Sequence, residues 1–461
     1  MTFDAGSFRD PSGRVLRHGD RVLRAIFAAG SAQYAAAKDS GVLDAMIAEG
    51  WLLPARTLGG DERETMAPGA VHWLEHPVLD FVSYPYEWCF SALKAAALHH
   101  LDFHIALLGR GFTLSDATAY NIQFRGTEPV FIDHLSIIPY EEGSAWVGQR
   151  QFGMQFLNPL YLWAKKGIAP HAWYRGSVEG IEPEELVKLL GLRDRLSFTV
   201  IAHIVGPAAF ARRRIAGGLE AKAARPAYLS RKRLLAILTS LRDYIAGLRL
   251  PGEKTVWDDY AVNNSYDEVR REAKHRFVAE AVGLVAPGMV FDIGCNSGEY
   301  SRTALDAGAR SVVGFDFDFG ALERAFSTFH KAKAPVLPLW LDAANPSPSQ
   351  GWAGCERKSL QERASADMVL ALAVVHHLAI AKNIPLDMVT DWLMGLAPAG
   401  VIEFPSKSDP MVQQLLRGRA DIFPAYTEEA FLGHVGTRGR IVRQDRLGEG
   451  GRLIVAYDRR G

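Results

Sequence analysis

The stretch that most restricts this chain is residues 290–301, VFDIGCNSGEYS: an apolar run, a small-residue turn and the opening of a helix. An apolar run of this length that passes through glycine into a helix reads as a strand buried on both faces, the first strand of a βα unit. The unit recurs down the chain. SVVGFDFD reads as a strand and FGALERAFSTFHKA as a helix; VLPLWLDA, ADMVLALAV and GVIEFP read as later strands, and GRLIVAYD as a closing one. Strands alternating with helices predict an α/β domain with a mostly parallel, Rossmann-like sheet covered on both faces.

In such sheets ligands bind beyond the carboxyl ends of the strands, and the first strand-to-helix turn is the usual cradle. The dinucleotide fingerprint GxGxxG directs amides and a helix N-terminus at a pyrophosphate. Here the spacing is GxxxG, from Gly294 to Gly298, and carboxylates flank the turn: Asp292 ends the strand and Glu299 opens the helix. Two acids repel a pyrophosphate but suit a ligand bearing an ammonium and a sulfonium, which points to S-adenosylmethionine (SAM) as cofactor. A ribose partner is expected about 20 positions on, and Asp316 stands twenty-two positions after Gly294. Asp318, two residues further, would point the other way along a continuing strand, so Asp316 is preferred. Asp342, ending the third strand, is placed to accept from an adenine amino group.

At these residues, VFDIGCNSG, GFD, LDA and ADMVLALAVVHHL, the chain resembles the class I SAM-dependent methyltransferases over roughly residues 255–461. The resemblance implies a cofactor site formed by Asp292, Gly294, Asn296, Gly298, Asp316, Phe317, Asp342, Ala343 and Leu372. The approach segment VWDDYAVNNSYDEVRREAKHRFV, with Tyr260, Tyr266 and Lys274, reads as a helical cover over the methionine end, or as plain packing on the sheet. Methyl transfer from a sulfonium is an in-line displacement that mainly needs positioning. A base is needed only when the acceptor is not already nucleophilic. The candidates are His376 and His377, after the fourth strand, and Glu403, in the fifth; the histidine pair is equally readable as a strand cap. Lys407, Asp409, Phe423 and Tyr426 come next as candidate lining of the acceptor site.

The N-terminal half reads as mostly helical, with CFSALKAAALHHLDFHIALLGRG as its central helix and a short strand pair around YNIQFRGTEPVFID. Within LSDATAYNIQFRGTEPVFID, Asp116 and Asn121 are followed by Asp133. This order resembles the catalytic core of aminoglycoside-phosphotransferase-like and protein kinases, in which the first Asp accepts a hydroxyl proton and the other two residues hold magnesium. In that resemblance DFVSYPYEW stands where an interlobe hinge would. ATP and magnesium are therefore candidate ligands there. However, no His precedes Asp116, no Phe-Gly follows Asp133, and neither Lys38 nor Lys94 stands in a strand-like setting, which favours a kinase-like module used for binding or scaffolding. The two-part layout, with SYPYEW, DATAYNIQF, DIGCNSGEYS, VVHHL and EFPSKSDPMV, is similar nearly end to end to the bacterial methyltransferases called NoeA-like, after a rhizobial nodulation protein. Division near residue 250 is expected, into a kinase-like 1–250 and a methyltransferase 251–461.

Composition narrows the alternatives. The chain has 461 residues and a formal net charge of zero, which argues against a generally basic nucleic-acid binder. The segment from 212 to 233 nevertheless holds Arg212, Arg213, Arg214, Arg231, Lys232 and Arg233 as a local basic strip. Cys89, Cys295 and Cys355 form no CxxC pair, so no metal site is expected. With neither a signal-like N-terminus nor a spanning apolar run, a cytoplasmic protein without a membrane partner is expected. The leading expectation is a methyltransferase acting on an O or N nucleophile of a small molecule, glycan or peptide precursor. An RNA methyltransferase, a bifunctional protein and a SAM-sensing scaffold stand beside it.

Overall fold

The computed structural model describes residues 2–59, 69–216, 228–251, 265–418, 420–448 and 451–460. Tyr260 lies outside these, as do the side chains of Tyr266, Arg212, Arg213 and Arg214.

The first 76 residues hold a sheet that the expectation of a mostly helical N-terminal half does not include. Strands β1 (Thr2–Phe3), β2 (Gly13–His18), β3 (Arg21–Ile26), β4 (Arg56–Thr57) and β5 (His72–His76) form an antiparallel sheet in the order β1-β2-β3-β5-β4. GRVLRH and RVLRAI have the strand period, but the arginines interleaved with the valines and leucines conceal it. A hairpin turn joins them, where Gly19 takes φ +57°. Helix α1 (Ala28–Asp39) follows β3, and the long α2 (Phe90–Gly109) is the central helix expected from its sequence. Its buried Leu93, Ala96, Ala97, His100, Leu101 and Phe103 recur at helical spacing and form one broad face turned to the core. Beyond it, β6 (Phe112–Leu114) pairs with β9 (Ile137–Pro139), and β7 (Ile122–Arg125) with β8 (Glu128–Phe131), the expected strand pair. Helix α3 (Arg231–Gly247) packs on α2, and Lys94 Nζ donates to the carbonyls of Ala246 and Leu248 (2.8 and 2.9 Å), capping the end of α3.

The C-terminal part is one seven-stranded sheet: β10 (Met289–Ile293), β11 (Ser311–Asp316), β12 (Val336–Trp340), β13 (Met368–Ala371), β14 (Ala399–Phe404), β15 (Arg440–Arg446) and β16 (Leu453–Asp458). The order is β12-β11-β10-β13-β14-β16-β15. The first five strands in that order are parallel, and β16 runs antiparallel to both of its neighbours. Strand β15 gives no apolar signal in the sequence: RIVRQDR is polar because it forms an edge with most side chains exposed.

Alternate residues face two cores. Val290, Val312, Val336, Met368 and Leu370 pack against α4 (Ser265–Val285), α5 (Glu299–Asp306) and α6 (Phe319–Ala332). Phe291, Ile293, Val313, Phe315, Leu337 and Leu339 join the opposite core, shared with α7 (Leu386–Gly395), α8 (Glu428–Arg438) and the N-terminal part. Phe81 sets its ring edge-on to Phe291 (5.5 Å) and Phe315 (5.9 Å), and Trp88 makes a β-bridge to Leu339. The buried Glu87 carboxylate forms a two-pronged ion pair with the buried Arg363 guanidinium, which also lies over the Tyr84 ring at 4.4 Å.

Candidate cofactor and acceptor site

The strand order reverses between β10 and β13, which opens a crevice beyond their carboxyl ends. The glycine turn borders it. Gly294 takes φ +76°, and a Cβ there would stand 2.6 Å from Val374 Cγ2; Gly298 takes φ +87°, and its Cβ would stand 2.3 Å from Phe329 Cε2. Both positions demand glycine twice, for backbone hand and for space. Asn296 is left-handed too, at φ +49°, a conformation asparagine tolerates. Across the crevice Ala373 takes φ +56°, an uncommon conformation for a residue with a Cβ, next to the buried Leu372.

Asp316 ends β11 with its carboxylate fixed: Oδ2 accepts from the Asn296 N–H (2.8 Å) and Oδ1 from the Asp318 N–H (2.9 Å). Burial raises its pKa. Asp318 caps α6 instead, accepting from the Ala321 N–H at 2.8 Å. Between them Phe317 stands 58% exposed. Asp342 accepts from the Ala344 N–H (3.0 Å) in a turn just past β12, beside the partly buried Ala343.

Asp292 is 1% exposed, with Ser301 Oγ donating to Oδ2 at 2.6 Å, and burial pushes its pKa up to about 6. Glu299 turns away toward α4, accepting from His275 Nε2 at 2.8 Å. Lys274, on α4, reaches across to Glu403 Oε2 (2.6 Å) and lies over the Tyr300 ring at 4.8 Å. Glu403 also meets Arg452 (3.3 Å), which in turn holds Asp409 at 2.7 and 3.2 Å. Despite full burial, these two cations keep the Glu403 pKa below its ordinary value. Arg452 precedes β16, and only the antiparallel register of β14 and β16 brings it here, which is why sequence spacing gives no sign of it.

His376 and His377 follow β13 with rings 4.1 Å apart, His377 opening a π-helical turn (His377–Ala381). His376 is 1% exposed, its Nδ1 has no hydrogen-bond partner among the described residues, and burial lowers its pKa to about 3; burial lowers that of His377 too. Tyr426 is core rather than exposed lining: its ring packs on Phe404 (4.6 Å) and its hydroxyl donates to the Pro405 carbonyl (2.7 Å). Lys407 pairs with Asp421 at 2.7 Å, at the surface.

In the N-terminal part Asp116, Asn121 and Asp133 come together. Asn121 Nδ2 donates to Asp116 Oδ1 (3.0 Å) and, more weakly, to Asp133 Oδ2 (3.5 Å). Burial, then the neighbouring Asp133, raise the Asp116 pKa to about 7. A strand-borne cation is present after all: Arg24, on β3, donates to Asp133 Oδ1 at 2.6 Å. The arginine-rich pattern that conceals β3 conceals this cation with it.

The parallel core, the antiparallel closing strand and the glycine turn at the switch point define a Rossmann-like α/β domain with a crevice beyond β10 and β11. The chain belongs to the family of the nodulation protein NoeA: it is 43% identical to NoeA of Rhizobium meliloti (strain 1021) over 457 residues, 99% of this chain and 96% of that one. No family model matches it. Solved structures resemble it only distantly. The N-methyltransferase NodS from Bradyrhizobium japonicum WM9 is 11% identical over 42% of this chain and 97% of its own, with a TM-score of 0.31. Magnesium protoporphyrin IX methyltransferase (ChlM) from Synechocystis PCC 6803, with bound SAM, is 18% identical over 48% and 96%, at 0.31. WbdD is 16% identical over 44% and 42%, at 0.29. Scores this low carry no argument about function.

Proposed function

We propose that the chain is a SAM-dependent methyltransferase acting on an O or N nucleophile of a small molecule, glycan or peptide precursor. The observation that carries this reading is Asp316: a carboxylate at the end of the second strand, held by two backbone N–H groups and facing a glycine turn that is flanked by acid and lacks the pyrophosphate fingerprint. The sheet also departs from the dinucleotide-binding order, because its last strand is inserted antiparallel beside the fifth.

The site residues fit such a cofactor. Asp316 would accept from the ribose hydroxyls and Asp342 from the adenine amino group, with the exposed Phe317 ring and Ala343 beside the base. Asp292 would face the ammonium, and Gly294, Asn296, Gly298 and Leu372 let the chain pass close. SAM supplies an electrophilic methyl group. His376 and His377 are the candidates to take the proton an acceptor hydroxyl or amine releases; burial keeps both neutral and, in the free protein, weakens them as bases. Glu403, with a cation on each oxygen, is assigned to anchor Lys274 and Arg452 rather than to act as a base, and Lys274 reaches the site through that anchor. Calorimetry with SAM and S-adenosylhomocysteine tests the reading. Micromolar binding that falls at least about 30-fold in Asp316→Ala, the loss of a buried charged hydrogen-bond partner, is expected. Binding of a nicotinamide nucleotide instead would sink it.

The N-terminal part is read as a kinase-like scaffold, since Arg24 already neutralises Asp133. The meeting of Asp116, Asn121 and Asp133 favours one other reading, a nucleotide and magnesium site. A saturable rise in unfolding temperature with ATP and magnesium, absent in Asp133→Ala, decides for the nucleotide; an unchanged temperature decides for the scaffold.

A further inference from the structure

The neutral total hides a strong asymmetry. Between residues 186 and 233 the sequence carries eleven Lys and Arg against two Asp and Glu, so the remainder of the chain is acidic by nine. The first part of this stretch is also where large apolar side chains stand out from the surface. Leu192 is 86% exposed, Leu196 82% and Phe198 77%, with Leu189, Ile201 and Phe210 exposed nearby. The segment is not loose: Leu190, Thr199, Val200, Ile204 and Ala208 are buried on its inner side, through short helical turns at Asp194–Leu196, Phe198–Val200 and Ile201–Val205 that lead into the helix Gly206–Ala216. Folding has therefore fixed an apolar face outward.

The charges on that face have one sign. Lys188, Arg193 and Arg195 are exposed among the apolar side chains. Asp194 is internally committed, to Lys166 Nζ (2.5 Å) and the Tyr161 hydroxyl (2.6 Å). In the sequence Arg212, Arg213 and Arg214 come next. Exposed leucine and phenylalanine interleaved with cations is the chemistry of a surface that lies in the headgroup region of an anionic bilayer. It suits a nucleic acid poorly, because leucine and isoleucine give bases no ring to stack on. The near-complete exposure of Leu192, Leu196 and Phe198 fits entry into a soft phase better than seating in a rigid partner's sockets.

We propose that the Leu189–Phe210 face docks the protein on an anionic lipid surface, with Leu192, Leu196 and Phe198 entering the acyl boundary and Lys188, Arg193 and Arg195 meeting the headgroup phosphates. No spanning segment is involved, and among the described residues no helix is long and apolar enough to cross a membrane. The proposal does not depend on the methyltransferase reading.

The test is sedimentation of the full chain with phosphatidylcholine vesicles, pure or with about one-third phosphatidylglycerol. Binding to the anionic vesicles is expected to be at least about tenfold tighter and to weaken in high salt. It should fall about tenfold in Leu192→Ser/Leu196→Ser/Phe198→Ser and in Arg193→Glu/Arg195→Glu, both of which change exposed positions and leave the unfolding temperature in place. In Phe198→Trp the tryptophan emission should shift to the blue on adding anionic vesicles, and Asp316→Ala should bind them like the parent. Equal binding to both vesicle types, or a serine variant that binds as well as the parent, overturns the proposal. So does RNA retention in place of vesicle binding, or a dimer that the serine changes dissociate in a chain that ignores vesicles.

Discussion

Asp292 carries a carboxylate in a place built to resist its charge. It is enclosed on the sheet with one hydroxyl donor, and burial pushes its pKa to about 6 from an unfolded value near 3.8. The folded state therefore holds the proton more tightly than the unfolded chain. Asp292 costs stability above about pH 6, and the cost fades as the pH falls toward 4. A gap of this size corresponds to about 3 kcal/mol. Asp292→Asn, which keeps an acceptor for Ser301, should stabilise the free protein at pH 8 by up to that amount and should make no difference near pH 4. It should also weaken SAM binding at least about tenfold, since the ammonium loses its counter-charge. Urea unfolding at the two pH values together with calorimetry checks both halves; a variant no more stable than the parent at pH 8 refutes the assignment. At this scale the sequence is most legible where the backbone itself is constrained. Gly294 and Gly298 are readable because a turn of this hand admits few residue types, and Asp316 because it ends the second strand. Arg24 and Arg452 are not, because nothing local distinguishes a paired arginine from a solvated one.

Among elements, α4 depends on buried charge for its position. Its Lys274 crosses to Glu403 on β14, while Arg271 and His275 reach Glu299 on α5. Of these links the Lys274–Glu403 pair is the buried one, with side chains 13% and 2% exposed, so its loss should dominate. Breaking a buried pair by removing one partner typically costs about 3–5 kcal/mol. Glu403→Gln is expected to lower stability by about 3 kcal/mol, since Arg452 keeps Asp409 as a partner. Lys274→Met with Glu403→Gln should cost less than the two changes summed, because each single change strands the other's charge. Amide exchange is the discriminating readout: protection should fall along Glu268–Val285 and hold in β10–β13. If Glu403 were a catalytic base, the same change would abolish turnover while leaving α4 protected. The sequence does place a helix over the sheet here. It does not reveal what fastens the helix, because Lys274 and Glu403 are 129 positions apart and neither periodicity nor a motif links them.

On the scale of the whole molecule, the strands fall into two separate groups while the apolar packing runs through both. Every strand of the N-terminal sheets ends by Pro139 and every strand of the large sheet begins at Met289 or later, so the two architectures do not interleave. Yet one apolar cluster runs through both, from Ile26 and Leu93 to Phe291 and Leu339. Hydrophobic patterning explains why a reader of the sequence sees only the first fact. Phe291 and Phe315 belong to strands apolar on both faces, a pattern that reports burial without saying which neighbour provides it. The segment that does so, Phe81 to Trp88, reads in sequence as a hinge, and it lies as a seam: Phe81 on the sheet, Trp88 bridged to β12, Glu87 paired with Arg363. A charge pair removed from water at such a seam adds little net stability over an apolar one, but it penalises any arrangement that separates its members. The cost of leaving Arg363 buried and unpaired therefore ties the orientation of the N-terminal sheets to that of the large C-terminal sheet.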